Sequence, residues 1–166
     1  QIDLVICNLY PFDSVIKNSD HTLSEAFENI DIGGPTMIRS AAKNIGWVAV
    51  ATHPKDYQLI MDELNDQGSI SYKTREHLAK KAFLTTSVYE SSISNYLYDN
   101  KPQDQFTMVF DKFSDLRYGE NPHQTASAYH LRGGSSNNIL NARQHQGKQL
   151  SYNNIMDADA AFYCLR

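Results

Sequence analysis

An α/β fold is the class this sequence predicts, on three observations. Continuous apolar runs at Leu4-Val5-Ile6-Cys7 and Trp47-Val48-Ala49-Val50-Ala51 read as strands buried on both faces, the pattern of a parallel sheet. Segments with apolar residues at helical spacing lie between and after them, giving the order strand, helix, helix, strand, helix. At the centre, Asn29-Ile30-Asp31-Ile32-Gly33-Gly34-Pro35-Thr36 forms a tight turn that opens a helix, and polar chemistry concentrates there. Such alternation favours layered α/β architecture with right-handed connections.

The first strand is expected over 2–9, and Pro11 forbids its regular continuation. Asn8, Tyr10 and Asp13 follow its carboxyl end, where open α/β sheets place ligand-binding groups. Tyr10 has two readings, a hydroxyl donor to a substrate or an aromatic that covers the sheet edge. Thr22 and Glu25 have the spacing of a capping box, and Leu23, Ala26, Phe27 and Ile30 follow on one helix face. Asp31 ends this hydrophobic approach, Gly33 and Gly34 supply a permissive backbone, and Pro35 suits the first helical position.

The helix opened by that turn is expected over 35–44, with Met37, Ile38, Ala41 and Ala42 on its apolar face and Gly46 as a stop. Arg39 and Lys43, four apart, share another face. The free N–H groups at the helix start can hold an anion or a polarised carbonyl, so a nucleotide or phosphate-ester site stands beside the reading of an ordinary capped turn. A strand over 47–51 follows, broken by His53-Pro54 before a helix over 55–65. A long helix over 71–98 carries Leu78, Ala82, Tyr89, Ile93 and Leu97 on one stripe, and Thr85-Thr86-Ser87 marks the place where it would break. Tyr89, Tyr96 and Tyr98 read as core and rim packing, and His77 as a solvated residue.

The polar, proline-bearing segment 99–105 reads as a linker, which divides the chain into 1–98 and 106–166. Strand character returns over 106–110. Then comes Leu116-Arg117-Tyr118-Gly119-Glu120-Asn121-Pro122-His123-Gln124, a loop dense in recognition groups. Arg117 offers a planar fork for phosphate or carboxylate, Tyr118 a ring face with a hydroxyl, and His123 a group that transfers protons near neutrality. A strand over 126–131, a flexible turn over 133–138 and a helix holding Asp157, Ala158, Ala160, Ala161, Tyr163 and Leu165 complete the chain. A strand-like start without an initiator Met, and an end inside a helix, lead us to expect a piece of a longer chain whose second unit is incomplete.

With 166 residues and 41% hydrophobic content, the chain suffices for one ordinary domain or parts of two. A formal net charge of -4 argues against nucleic-acid binding as its main business and leaves room for a small phosphorylated ligand. Cys7 and Cys164 fit no CxxC pair or zinc-finger spacing, so reduced thiols in a cytoplasm are expected and no metal ligand cluster is apparent. Neither a membrane-length apolar run nor a leader peptide is visible.

Five ordered motifs carry a family resemblance: Asn8-Leu9-Tyr10-Pro11-Phe12, Ile30-Asp31-Ile32-Gly33-Gly34, Ala41-Ala42-Lys43-Asn44, the Arg117-to-Gln124 loop, and Leu150-Ser151-Tyr152-Asn153-Asn154. Together they resemble the bifunctional AICAR formyltransferase and IMP cyclohydrolase family of purine biosynthesis, across essentially the whole chain. The resemblance implies that 1–98 is the later portion of a cyclohydrolase domain with a methylglyoxal-synthase-like parallel α/β fold. It implies that 106–166 opens a transferase domain with a cytidine-deaminase-like core. Tyr10, Asp31 and Lys43 match the family's cyclohydrolase site, Arg117, Tyr118 and Asn154 its nucleotide-binding groups, and His123 a histidine that assists proton transfer. The implied ligands are AICAR, formyl-AICAR and IMP, with 10-formyltetrahydrofolate as cosubstrate, no catalytic metal, no nucleic acid and no membrane.

The family also implies a cytoplasmic homodimer whose transferase site forms between subunits, with the principal catalytic histidine beyond Arg166. This chain alone is therefore expected to have little or no activity. Two competing readings are a noncatalytic nucleotide or phosphate-ester-binding regulatory module, and a structural or interaction fragment suggested by the long Tyr-rich helix. Turnover by the complete polypeptide separates the first, and a dimerisation assay the second.

Overall fold

The computed structural model describes residues 2–98 and 104–165, so residues 99–103 of the expected linker lie outside the described residues. The chain forms two compact units, Gln1–Thr107 and Met108–Arg166.

In the first unit, strand β1 (Leu4–Ile6) pairs in parallel with β2 (Ala49–Ala51) in the register Leu4 to Ala49, Val5 to Val50 and Ile6 to Ala51. Between them lie helices α1 (Phe12–Ile16), α2 (Leu23–Glu28) and α3 (Gly33–Lys43), and after them α4 (Tyr57–Gln67) and α5 (Tyr72–Tyr98). The strands divide their side chains by the period of two expected of a pleated sheet. Val50 packs with Ile38, Ala41 and Ala42 of α3 and Ala79 and Ala82 of α5, while Ala49 and Ala51 pack with Ile60 of α4 and Leu78 of α5. The mixed α/β class with a small parallel sheet is the one the sequence predicts.

Several expected boundaries move. The first strand is shorter than 2–9, Ile6 is exposed rather than buried, and β1 is paired only to β2 among the described residues. Trp47 is 75% exposed and outside β2. The Asn44 carbonyl accepts the N–H groups of both Trp47 and Val48 at 2.9 Å, so the chain is still turning there. Helix α3 starts at Gly33, which places Pro35 third rather than first, and Met37 is exposed while Ile38, Ala41 and Ala42 are buried. On α2, Ala26 is buried but Leu23 and Phe27 are exposed.

Helix α5 runs through Thr85-Thr86-Ser87 without a break. The hydroxyls of Thr85, Thr86 and Ser91 donate to the carbonyls of Lys81, Phe83 and Ser87 at 2.9, 3.1 and 2.9 Å, so they serve the helix rather than compete with it. Leu78, Ala82, Tyr89 and Ile93 of the expected stripe are buried, and Leu97 is exposed.

In the second unit, β3 (Phe110–Asp115) pairs antiparallel with β4 (Ser127–Leu131), with an irregularity between Lys112 and Ser114. The strand expected over 106–110 thus lies further along the chain. Its ladder begins where Phe110 opposes Leu131, and Arg132 clamps that end with donors to Asp111 at 2.8 and 2.5 Å. Helix α6 (Tyr152–Cys164) follows. No helix of the described residues is long and apolar enough to cross a membrane.

Candidate functional site

The first site is built at the entrance to α3. The Asp31 side chain caps the turn: Oδ1 accepts the Gly34 N–H at 2.7 Å and Oδ2 accepts the Tyr10 N–H at 3.3 Å. Tyr10 and Asp31, 21 positions apart, therefore meet at the carboxyl end of β1. A helix start leaves N–H groups unmet within the helix, which is why a carboxylate here is favourable.

Gly34 makes this approach possible through its missing side chain. A Cβ at Gly34 would stand 2.4 Å from Asp31 Oδ2 and 2.8 Å from Leu9 Cδ2, whereas one at Gly33 would meet nothing within 4 Å. Neither glycine has a positive φ, so the permissive backbone expected of this pair is not what the turn uses.

Tyr89, from the middle of α5, holds the same turn from inside. Its hydroxyl accepts the Asp31 N–H at 2.8 Å and donates to the Asn29 carbonyl at 3.1 Å. Burial, with a smaller contribution from the Asp31 charge, pushes the Tyr89 phenol up, opposed by its bond from the Asp31 amide. Burial and then the Asp31 charge push the Cys7 thiol up in the same way. Tyr89 was legible only as a core tyrosine on the buried stripe of α5; nothing in the sequence ties its hydroxyl to a turn 58 positions earlier.

Tyr10 is 56% exposed. Phe12 takes a packing role, 1% exposed in a cluster with Ala26, Tyr89 and Ile93. Lys43 is exposed in the last turn of α3. At about 1.5 Å of rise per residue, its backbone lies about 15 Å along the axis from the Asp31 end.

The second site lies in the second unit. Arg117 stacks over its neighbour, with its guanidinium carbon 4.8 Å from the Tyr118 ring centroid and a donor 3.2 Å from the Tyr118 hydroxyl. Backbone bonds seat this loop against the start of α6: Arg117 N–H to Leu150 O at 3.0 Å and Tyr152 N–H to Tyr118 O at 3.1 Å. The Asn153 amide adds a bond to Glu120 O at 3.0 Å.

Asn154 has a structural part that the sequence reading missed. Its Oδ1 accepts from the Ser151 N–H at 3.2 Å and hydroxyl at 3.0 Å, while Ser151 Oγ accepts the Asn154 N–H at 3.4 Å, closing a capping box. The Ser-x-x-Asn spacing carried that signal, in a shorter form than the Glu or Gln that usually closes such a box. His123 is exposed in the turn between Asn121 and Gln124, which the Gln124 N–H to Asn121 O bond closes at 3.0 Å. Arg117, Tyr118 and Asn154 are thus brought to one helix start, with His123 on the adjoining turn.

Among the described residues, no group of three or more His, Cys, Asp or Glu could hold a metal ion. A solved structure titled "Crystal structure of ForH" is similar at a TM-score of 0.48 and 28% identity, over 62% of this chain and 54% of that one. The Bifunctional purine biosynthesis protein PurH of Bacillus cereus (strain B4264) is 48% identical over 163 residues, covering 96% of this chain and 32% of its own length. That of Bacillus cereus (strain ATCC 10987 / NRS 248) is 49% identical over the same shares. The chain therefore spans about a third of the length of the curated relatives it matches. The model of the AICARFT/IMPCHase bienzyme matches residues 41–166, a stretch that holds Lys43, the Arg117-Tyr118 loop, His123 and Asn154. The chain belongs to the AICARFT/IMPCHase bienzyme family.

Proposed function

We propose that this chain is the central part of an enzyme performing the last two steps of IMP synthesis: formyl transfer from 10-formyltetrahydrofolate to AICAR, then dehydrative closure of formyl-AICAR to IMP. In this reading 1–98 belongs to a methylglyoxal-synthase-like cyclohydrolase domain, 99–105 links, and 106–166 opens a cytidine-deaminase-like transferase domain. The complete protein is a cytoplasmic homodimer, and the present chain alone is inactive or nearly so. The observation that carries the reading is the meeting of Tyr10 and Asp31 at the start of α3 in a chain of this family.

Ring closure joins the carboxamide nitrogen to the formamido carbon, moves charge onto the formyl oxygen and expels water. Asp31 spends one acceptor site of each oxygen on Gly34 and Tyr10, and a carboxylate has about four such sites. The remainder orient the carboxamide N–H and accept its proton. The Tyr10 phenol and the Lys43 ammonium supply donors for the developing oxyanion, where preorganised donors contribute most.

In the transfer step the amine of AICAR attacks the formyl group, so positioning and proton management carry the catalysis. Arg117, Tyr118 and Asn154 bind the nucleotide, and His123 assists proton transfer. The test is a split of activities in the complete protein. Lys43→Met is expected to slow cyclisation by about a hundredfold and spare transfer, and His123→Ala to do the reverse, as for lost oxyanion donors and proton-transfer groups. Unchanged cyclisation in Lys43→Met overturns the lysine's role, and unchanged transfer in His123→Ala overturns the histidine's, whereas equal loss of both activities there marks a folding defect.

A further inference from the structure

We propose that Tyr89 is a positioning residue for cyclisation, its hydroxyl holding the backbone that carries Asp31 and its ring holding the segment that carries Tyr10. The proposal rests on the cyclohydrolase reading above.

The turn between α2 and α3 leaves two backbone groups for which Tyr89 provides: the Asn29 carbonyl and the Asp31 N–H. Neighbouring groups are met locally, the Asn29 N–H by the Glu25 and Ala26 carbonyls at 3.2 Å and the Ile30 N–H by Phe27 O at 3.1 Å. A hydroxyl donates once and accepts from elsewhere, so one side chain satisfies one group of each kind. Burial favours the neutral phenol, which is the form able to donate to Asn29.

The Tyr89 ring meets Phe12 edge-on, with centroids 6.3 Å apart and planes at 72°. The Phe12 N–H in turn donates to Tyr10 O at 2.8 Å. Tyr89 thus touches both strands of chain whose meeting forms the site. The Asp31 carboxylate is itself held by backbone N–H groups of Gly34 and Tyr10, so a shift of the turn is transmitted directly to it. Reaction rates respond steeply to misplacement of a proton acceptor on this scale.

Tyr89→Phe in the full-length enzyme keeps the ring on Phe12 and removes only the hydroxyl. We expect kcat for cyclisation to fall about tenfold, the size of a buried hydrogen bond left unmet, with KM and formyl transfer within about twofold of native. Combined with Asp31→Asn, it should add little further loss, because both changes act through one carboxylate. A native rate in Tyr89→Phe, or a double variant slower by the full product of the singles, overturns the proposal. Unchanged cyclisation in Asp31→Asn alone overturns the role given to Asp31 and Tyr89's with it, whereas the two preceding outcomes leave Asp31's role standing.

If Tyr89→Phe lowers both activities alike through poor folding, 3,5-difluorotyrosine at position 89, assayed at a pH below the lowered pKa of the fluorinated phenol so that it stays neutral, gives the decision, since it keeps the shape and weakens the oxygen as an acceptor. A drop in cyclisation kcat, with faster hydrogen exchange at the Asp31 amide, supports the proposal. Native exchange and rate overturn it.

Discussion

The two candidate sites are held by different physics. The Asp31 turn sits on a packed cluster: Phe12, Ala26, Tyr89 and Ile93 are buried beneath it, and Tyr89 reaches up from that cluster to bond the turn. The Arg117-Tyr118 loop is held by a run of hydrogen bonds to residues 150–153, with Gly119 and Ser151 as buried residues beside it and Phe110, Phe113, Tyr129 and Tyr152 all exposed. Among the described residues, one site is fixed by apolar burial that carries a polar group, the other chiefly by polar pairing. Changes in volume should therefore matter most in the first unit, and changes in hydrogen bonding or charge should matter about equally in both.

The largest effect expected is from Phe12→Ala. Its ring is 1% exposed and edge-on to both Tyr89 and Tyr96, so truncation should cost about 3–5 kcal/mol. Phe113→Ala, at a ring 51% exposed and edge-on to His130, should cost about 1 kcal/mol or less. Hydrogen exchange read separately at β2 and β4 in each variant checks the contrast; comparable losses would erase the distinction between the two units. Next comes the glycine pair. Gly34→Ala drives a methyl into Asp31 and Leu9 and should cost about 1–3 kcal/mol, while Gly33→Ala has open space and should stabilise by about 0.4–1 kcal/mol. Thermal melting of both variants, with loss of the Tyr10 amide's protection in Gly34→Ala alone, is the measurement.

These glycines show what the sequence made legible and what it did not. The turn and the helix after it could be read from apolar spacing and from Gly-Gly-Pro punctuation, because those signals are local, whereas the roles given to Tyr10 and Asp31 come from the family resemblance. The reason for Gly34 could not, since it depends on where the Asp31 and Leu9 side chains come to rest. Tyr89 failed for the same reason: its spacing announced burial, and its hydroxyl's partners lie on a distant stretch of chain. Trp47 and Leu97 were over-read because an apolar run gives composition and not the residue at which a ladder or a stripe ends. In the second unit the loop's recognition groups were visible as residue types, but the double duty of Asn154 needed the cap geometry at Ser151.

A smaller effect sharpens the comparison at the two capping boxes. Thr22→Ala and Ser151→Ala each remove an N-cap, and each should cost about 1 kcal/mol despite the different packing of their units. Denaturant midpoints for the two variants should then shift alike. A much larger loss from Ser151→Ala would mean that its buried hydroxyl fixes the Arg117 loop as well as α6.

The smallest effect distinguishes the units by acid and salt. Glu63 accepts from the Ser71 N–H at 2.8 Å and from the hydroxyls of Ser71 and Thr74 at 2.9 and 2.7 Å, and these bonds, the Ser71 N–H first, hold its pKa below the ordinary 4.5. In the second unit, Arg132's hydrogen bonds hold Asp111 below the ordinary 3.8. Both groups have a lower pKa folded than unfolded, so each contributes stability that is fully present above its unfolded value and lost as pH falls through the folded one. The partners differ in charge: neutral donors dominate at Glu63, an exposed guanidinium at Asp111. Salt screens the second and leaves the first almost untouched. In acid titrations of stability from about pH 6 downward, Glu63→Gln should remove a component that is the same at low and high salt. Asp111→Asn should remove one that shrinks as salt is added, and a salt-independent Asp111 component would show that hydrogen-bond geometry, not charge, holds that end of the hairpin.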